Sequence, residues 1–305
     1  MIAQRSRFLD LAALAALERK RFSPKRRIEG SYSGRHVSRV QGGSGEFVDY
    51  REYSGGEDLR RVDWKVFGRT GKAFVRLFQD ETNLLCTLAV DSSASMKFGE
   101  APRSSGAKRA KSKLEYAQWL STAFSHIISH GQDQVGLAVL GSELRDWLPP
   151  GGTSSHVARI QELLERIDTI PTMQMSRSLL QLFERSPGRG VLLLLSDLLM
   201  EDLQETFAAL RLFRHRGWEV VILHLVHPDE ERLPPGVAFC FQGLEGEGEV
   251  ICSPAEIAVQ YETRFAAFLA MTRQFALSAG CDYRLVNTAV PYLHTLGDFL
   301  IERSG

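Results

Sequence analysis

The chain has no excess of charge, no long apolar run and little cysteine. Its 37 Lys+Arg are matched by 37 Asp+Glu, so global charge points to no polyanionic partner, and nucleic acid is not expected as one. The four cysteines stand at 86, 240, 252 and 281 with no CxxC between them. This excludes a zinc ribbon or a dithiol redox motif and fits a reducing compartment. Cys86 lies in an apolar run and reads as a small buried hydrophobe. No segment reaches the ~18 apolar residues of a bilayer-spanning helix. The N-terminal FLDLAALAALERKRF is short, is interrupted by Asp10 and has no cleavage context, so it reads as an amphipathic helix over 8–20 rather than a signal or anchor. A cytoplasmic protein is expected. GxSxG, GxxxxGK[ST] and HExxH are all missing, and no internal repeat is visible.

Charge is uneven locally. Residues 1–40 hold ten Lys/Arg against three Asp/Glu, and Lys97–Lys113 holds six against one. Such runs are solvated faces or contacts to an anionic surface.

From residue 84 strands and helices alternate. LLCTLAV, QVGLAVL, GVLLLLSD and EVVILHLV are continuous apolar runs, as strands buried on both faces require. ELRDWLPPGG reads as an edge strand stopped at Pro149-Pro150, and FQGLEGEGEVICSP as a hairpin excursion. Helical spacing is predicted for KLEYAQWLSTAFSHIIS, 154–167, 175–185, DLQETFAALRLFRHRG, 261–279 and 292–303, with DYRLVNT a last short strand. The pattern predicts an α/β fold: a doubly wound, mostly parallel sheet with helices on both faces. Upstream, Gly30–Gly45 is loop-like, and KAFVRLFQDE is a strand of a separate N-terminal segment with short strands. The expected division is 1–80 and 81–305.

Ligands of such sheets lie at the carboxyl ends of the strands. Asp91 ends one apolar strand and is followed by Ser93 and Ser95; Asp197 ends another. Oxygen donors at i, i+2 and i+4 with a second carboxylate suit a Mg²⁺-type ion. Asp-Ser-Ser after a strand is equally turn chemistry.

DSSASM after an apolar strand, with LLLLLSD a hundred residues later, resembles the von Willebrand factor A domain and its metal-ion-dependent adhesion site. The denser run GEFVDYREYSGGEDLRRVDWKVFGRTGKAFVRLFQDE resembles the signature of the bacterial DUF58 family, in a short form without transmembrane helices. The resemblance implies a von Willebrand A-like fold and Mg²⁺ (or Mn²⁺) held by Asp91, Ser93, Ser95 and Asp197. It also implies a partner, a MoxR-type AAA+ ATPase, in complex assembly or maturation. The family pattern places a threonine ligand where Met173 stands, and a thioether is a poor Mg²⁺ ligand. Three outcomes are open there: Thr172 serves after a one-residue shift, water fills the position, or tight binding is lost.

In the signature run, Arg51, Glu52, Asp58, Arg60, Arg61 and Asp63 alternate in sign and suggest arginine–carboxylate pairs, with Tyr53 and Trp64 as anchors to the sheet domain. A partner-binding role for the same residues is the rival. For the whole chain the leading expectation is a non-enzymatic, metal-dependent adaptor. The alternatives are a metal-dependent phosphoryl or ester hydrolase and a binder of anionic surfaces through the basic runs.

Overall fold

The structure is a computed structural model that describes residues 6–17, 22–24, 36–38, 46–55, 59, 62–82, 84–99, 112–171, 173–186, 188–234, 236, 238–246 and 248–303. The chain divides into two compact units, Met1–Lys25 with Leu85–Gly305, and Arg26–Leu84. Near the start, α1 is one turn, Leu11–Leu14, whose Asp10 accepts from Ala13 N at 3.1 Å. Regular helix among the described residues is thus much shorter than the 8–20 predicted.

In the smaller unit, β1 (His36–Ser38) and β2 (Glu46–Glu52) flank β3 (Phe74–Thr82), both antiparallel to it. The register of β2 shifts between Phe47 and Asp49. Helix α2 (Trp64–Thr70) lies between β2 and β3 in sequence. Asp63 starts it by accepting from Lys65 N and Val66 N at 2.9 and 3.2 Å, and Gly71 ends it at φ 68, a left-handed conformation that suits glycine.

The larger unit contains, in chain order, β4 (Leu85–Asp91), α3 (Lys113–His130), β5 (Gln134–Leu140), β6 (Leu144–Gly151), α4 (Ser154–Glu165), α5 (Met175–Arg185), β7 (Val191–Ser196), α6 (Leu203–His215), β8 (Glu219–Val226) and α7 (Pro228–Glu231). The two-stranded β9 (Phe239–Gln242) and β10 (Glu249–Cys252) follow, then α8 (Pro254–Ser278), β11 (Asp282–Asn287) and α9 (Tyr292–Arg303). The sheet order is β11-β8-β7-β4-β5-β6, parallel except for the antiparallel edge strand β6. This is the doubly wound order, with the chain reversing direction across the sheet between β4 and β7, and the architecture is von Willebrand factor A-like. Helices α3, α4 and α9 pack together on one face; α5, α6 and α8 occupy the other.

The apolar runs sit where their composition demands. Every residue of β7 and β8 is buried, and Ala89 lies beside Leu194, which lies beside Ile222. Two predicted boundaries are corrected. Strand β6 passes through Pro149 and Pro150 to Gly151, because it is an edge strand with a register shift opposite Gly136. A Cβ at Gly136 would lie 2.7 Å from the Leu148 carbonyl, so glycine is what lets the proline strand approach. Helix α8 begins at Pro254 rather than at 261: proline fits the first helical position, and Glu256 follows in the first turn.

Candidate metal and partner-binding site at the carboxyl ends of β4 and β7

Because β4 and β7 are adjacent and parallel, Asp91 and Asp197 leave the sheet side by side. Both are buried, at 0% and 2% exposure. Asp91 Oδ1 accepts from Ser93 N at 2.8 Å, and Oδ2 accepts from the Ser196 hydroxyl at 2.5 Å. The Ser93 and Ser95 hydroxyls lie 2.9 Å apart; Ser93 is buried and Ser95 half-buried. Burial, with the Asp197 charge adding to it, pushes the Asp91 carboxyl up to about 7.

Asp197 has different surroundings. Its Oδ1 accepts from Leu199 N at 3.1 Å, and its Oδ2 takes Lys113 Nζ at 2.6 Å. Leu198, between them, is buried with φ 54, a conformation non-glycine residues rarely hold unless neighbours enforce it. Lys113 is 0% exposed and also contacts Glu230 Oε1. Burial alone would lower the lysine, but Asp197 and Glu230 outweigh it and leave its affinity for the proton raised. Burial raises the Glu230 carboxyl, against the pull of Lys113. Glu230 is itself fixed: its Oε2 accepts from His227 N at 2.8 Å in the capping box of α7. Phe98 covers the ammonium, its ring centroid 5.6 Å from Nζ.

His224 lies behind Asp197. Its Nδ1 is 2.8 Å from the Tyr283 hydroxyl, and it hydrogen-bonds the Asp197 backbone. Burial pushes the imidazole down to about 4, so it is neutral and has one donor and one acceptor for these two partners.

The loop after α4 is pinned beside Asp91. Ile170 N donates to Ser92 O at 2.8 Å and Ile170 bridges Ser93. Arg145 reaches the Ser92 hydroxyl at 3.1 Å and also contacts the Asp168 carbonyl. Met173 on this loop packs against the hydrophobic core; that explains an apolar residue there better than any ligand role. Thr172 lies outside the described residues.

The donor chemistry fits a divalent ion. Two hydroxyls and two carboxylates are hard oxygen donors. Asp91, Asp197 and Glu230 against Lys113 leave a formal charge of −2 when all are ionised, which a divalent ion neutralises. Among the described residues no group of three His, Cys, Asp or Glu side chains is placed to hold a metal; a site here depends on the serine hydroxyls.

In the signature segment, Asp63 is 5% exposed, caps α2 and accepts the Tyr50 hydroxyl at 3.1 Å. Arg51 and Glu52 are exposed on β2, and Tyr53 is half-buried with its N–H donating to Ala73 O at 2.9 Å. Trp64 is 58% exposed and meets Phe67 edge-on at 5.9 Å. Asp58, Arg60 and Arg61 lie outside the described residues, as do residues 100–111 of the basic loop.

Lys113, Glu230 and Ser196 were not singled out from sequence. A signal existed for the first: Lys113 opens a helix, where a cation opposes the helix dipole and needs another reason to be present.

Comparison with other proteins places the chain. It is 26% identical over 281 residues to the uncharacterized protein Rv1480 of Mycobacterium tuberculosis H37Rv, covering 88% of this chain and 78% of that one. The uncharacterized protein Mb1516 of Mycobacterium bovis matches to the same extent. Among solved structures, an aerotolerance-related membrane protein from Bacteroides fragilis aligns at TM-score 0.46 and 17% identity, over 71% of this chain and 98% of that one. BatB from Bacteroides thetaiotaomicron aligns at 0.46 and 15%, over 72% and 98%. Among the described residues no helix is long and apolar enough to cross a membrane. The family profile described as "Protein of unknown function DUF58" matches residues 49–267, most of the chain, and the protein belongs to that family.

Proposed function

We propose that this protein is a protein-binding adaptor whose contact face is the Asp91 end of the sheet, with Mg²⁺ or Mn²⁺ held by Asp91, Ser93 and Ser95 and supported by Asp197. The observation that carries the reading is the pair of buried aspartates, Asp91 and Asp197, gathered with two serine hydroxyls at the carboxyl ends of adjacent parallel strands. The ion supplies a coordination position to which a partner's carboxylate can bind. Ser196 and Ser93 N hold Asp91 in place, and Leu199 N and Lys113 hold Asp197. Thr172 is the further ligand in this reading. The family resemblance suggests a MoxR-type AAA+ ATPase as partner. Four free cysteines, Cys86 and Cys281 among them buried, suit a reducing, cytoplasmic setting.

The test is affinity capture with the whole chain in Mg²⁺ and in EDTA, with mass-spectrometric identification of what is lost. A partner released by EDTA and missing from D91A is expected. A partner held equally in all three conditions would overturn the metal-bridged contact.

A further inference from the structure

We infer that Lys113 and Glu230 are a charge-setting pair that decides how strongly the Asp91–Asp197 site takes a cation; this rests on the metal-binding reading above. Lys113 sits at the first position of α3, against the helix dipole, and its side chain is sealed from water. A fully buried ammonium is retained only where opposite charge and hydrogen bonds offset its desolvation. Here they come from Asp197 Oδ2 at 2.6 Å and from Glu230 Oε1, with Phe98 as a lid.

The two aspartates therefore differ as ligands. Among the described residues Asp91 accepts from neutral donors, the Ser93 amide and the Ser196 hydroxyl among them, so when ionised it shares its charge with no cation. Asp197 shares one oxygen with a whole positive charge, which weakens its pull on a second cation and repels that cation directly. Glu230 takes up part of the ammonium's charge and so returns attraction to Asp197. Removing Lys113 moves the cluster to −3, neutralising Glu230 moves it to −1, and doing both restores −2. Affinity for a divalent ion should follow that ladder.

The experiment is Mn²⁺ titration by calorimetry on the whole chain, for wild type, D91A, K113M, E230Q and K113M/E230Q, with melting curves in Mn²⁺ and in chelator. K113M should bind tighter than wild type and E230Q weaker, each by on the order of tenfold or more, and the double variant should return near wild type. K113M should also melt lower in chelator and gain more from Mn²⁺ than wild type does. Wild-type binding lost in D91A, with equal affinities for wild type, K113M and E230Q, would overturn the charge-setting pair alone. No binding by either wild type or K113M would overturn the metal reading and the pair with it. Should K113M fail to fold, E230Q decides: a weaker ion supports the pair, an unchanged one overturns it.

Discussion

Arg303 and Lys113 are both buried cations paired with carboxylates, one at the amino ends of β8 and β11, the other beyond the carboxyl ends of β7 and β8. Arg303 Nη2 meets Glu219 Oε1 at 2.6 Å and Asp282 Oδ2 at 3.2 Å, while Nη1 reaches the Ser23 carbonyl at 3.2 Å. Its guanidinium lies 4.6 Å from the Phe299 ring centroid and 5.3 Å from that of Phe22. A planar fork with aromatic neighbours fixes several elements in one arrangement. Lys113 is a point charge between two carboxylates, with a third close by at Asp91. The amino-end pair ties α9 and the N-terminal segment to the sheet. The carboxyl-end cluster sets three carboxyl groups against one ammonium at the edge where such sheets bind ligands. The same kind of interaction thus has a structural role at one end and, in the reading proposed above, a tuning role at the other.

The widest separation of the two ends comes from R303A. Removing the guanidinium leaves Glu219 buried without that partner and should cost about 3–5 kcal/mol of stability, read by chemical denaturation. Mn²⁺ affinity should stay at the wild-type value. A large change in affinity would mean the two ends are coupled through the sheet and the contrast is false.

A second test uses the opposite titrations of Asp91 and His224. His224 is lowered to about 4 from 6.5, so between those pH values the unfolded chain binds more protons than the folded one. Its contribution is present above pH 6.5 and is lost as pH falls toward 4, by about 3 kcal/mol across the window. Asp91 is raised to about 7 from 3.8, so the folded chain binds the extra proton and stability falls as pH rises through that range. In metal-free protein the two slopes oppose each other. H224Q should leave a stability that declines with rising pH between 4 and 7, and D91N one that increases, both read from denaturation midpoints. Parallel pH profiles for both variants and wild type would show that neither group titrates as its burial demands. Mn²⁺ should suppress the Asp91 slope and leave that of His224.

Much of the fold was legible because β4, β5, β7 and β8 are written as apolar runs, which only strands covered on both faces permit. The pair Asp91 and Asp197 could be read for the same reason: each follows such a run. The start of α8 is not legible in the same way, because Pro254 closes the hairpin-like FQGLEGEGEVICSP run and proline suits both the end of a turn and the first position of a helix. Lys113 and Glu230 were missed because they meet across 117 residues of chain, and no local spacing encodes that. In the signature segment, alternating charges drew attention to ion pairing. Asp63 before an apolar-periodic WKVF was also a helix-start signal, and capping is the role it has.

The smallest expected effect concerns the loop that Ile170 pins beside Ser93. Met173 packs against the core, so M173T should cost about 1–3 kcal/mol by loss of apolar contact and leave Mn²⁺ affinity flat. T172A should weaken the ion where the ligand register is shifted by one residue, because Thr172 is the hydroxyl next to the position that the family pattern gives to threonine. Calorimetry and melting of the two variants side by side separate packing from ligation. If M173T instead tightens the ion, the threonine register is the family's own and the methionine is a loss of ligand that packing has made use of. M173T and K113M would then act on one ion through different groups, one supplying an oxygen and the other removing a charge, and the M173T/K113M double variant would read how far their effects depart from additivity, as expected of changes that share a partner.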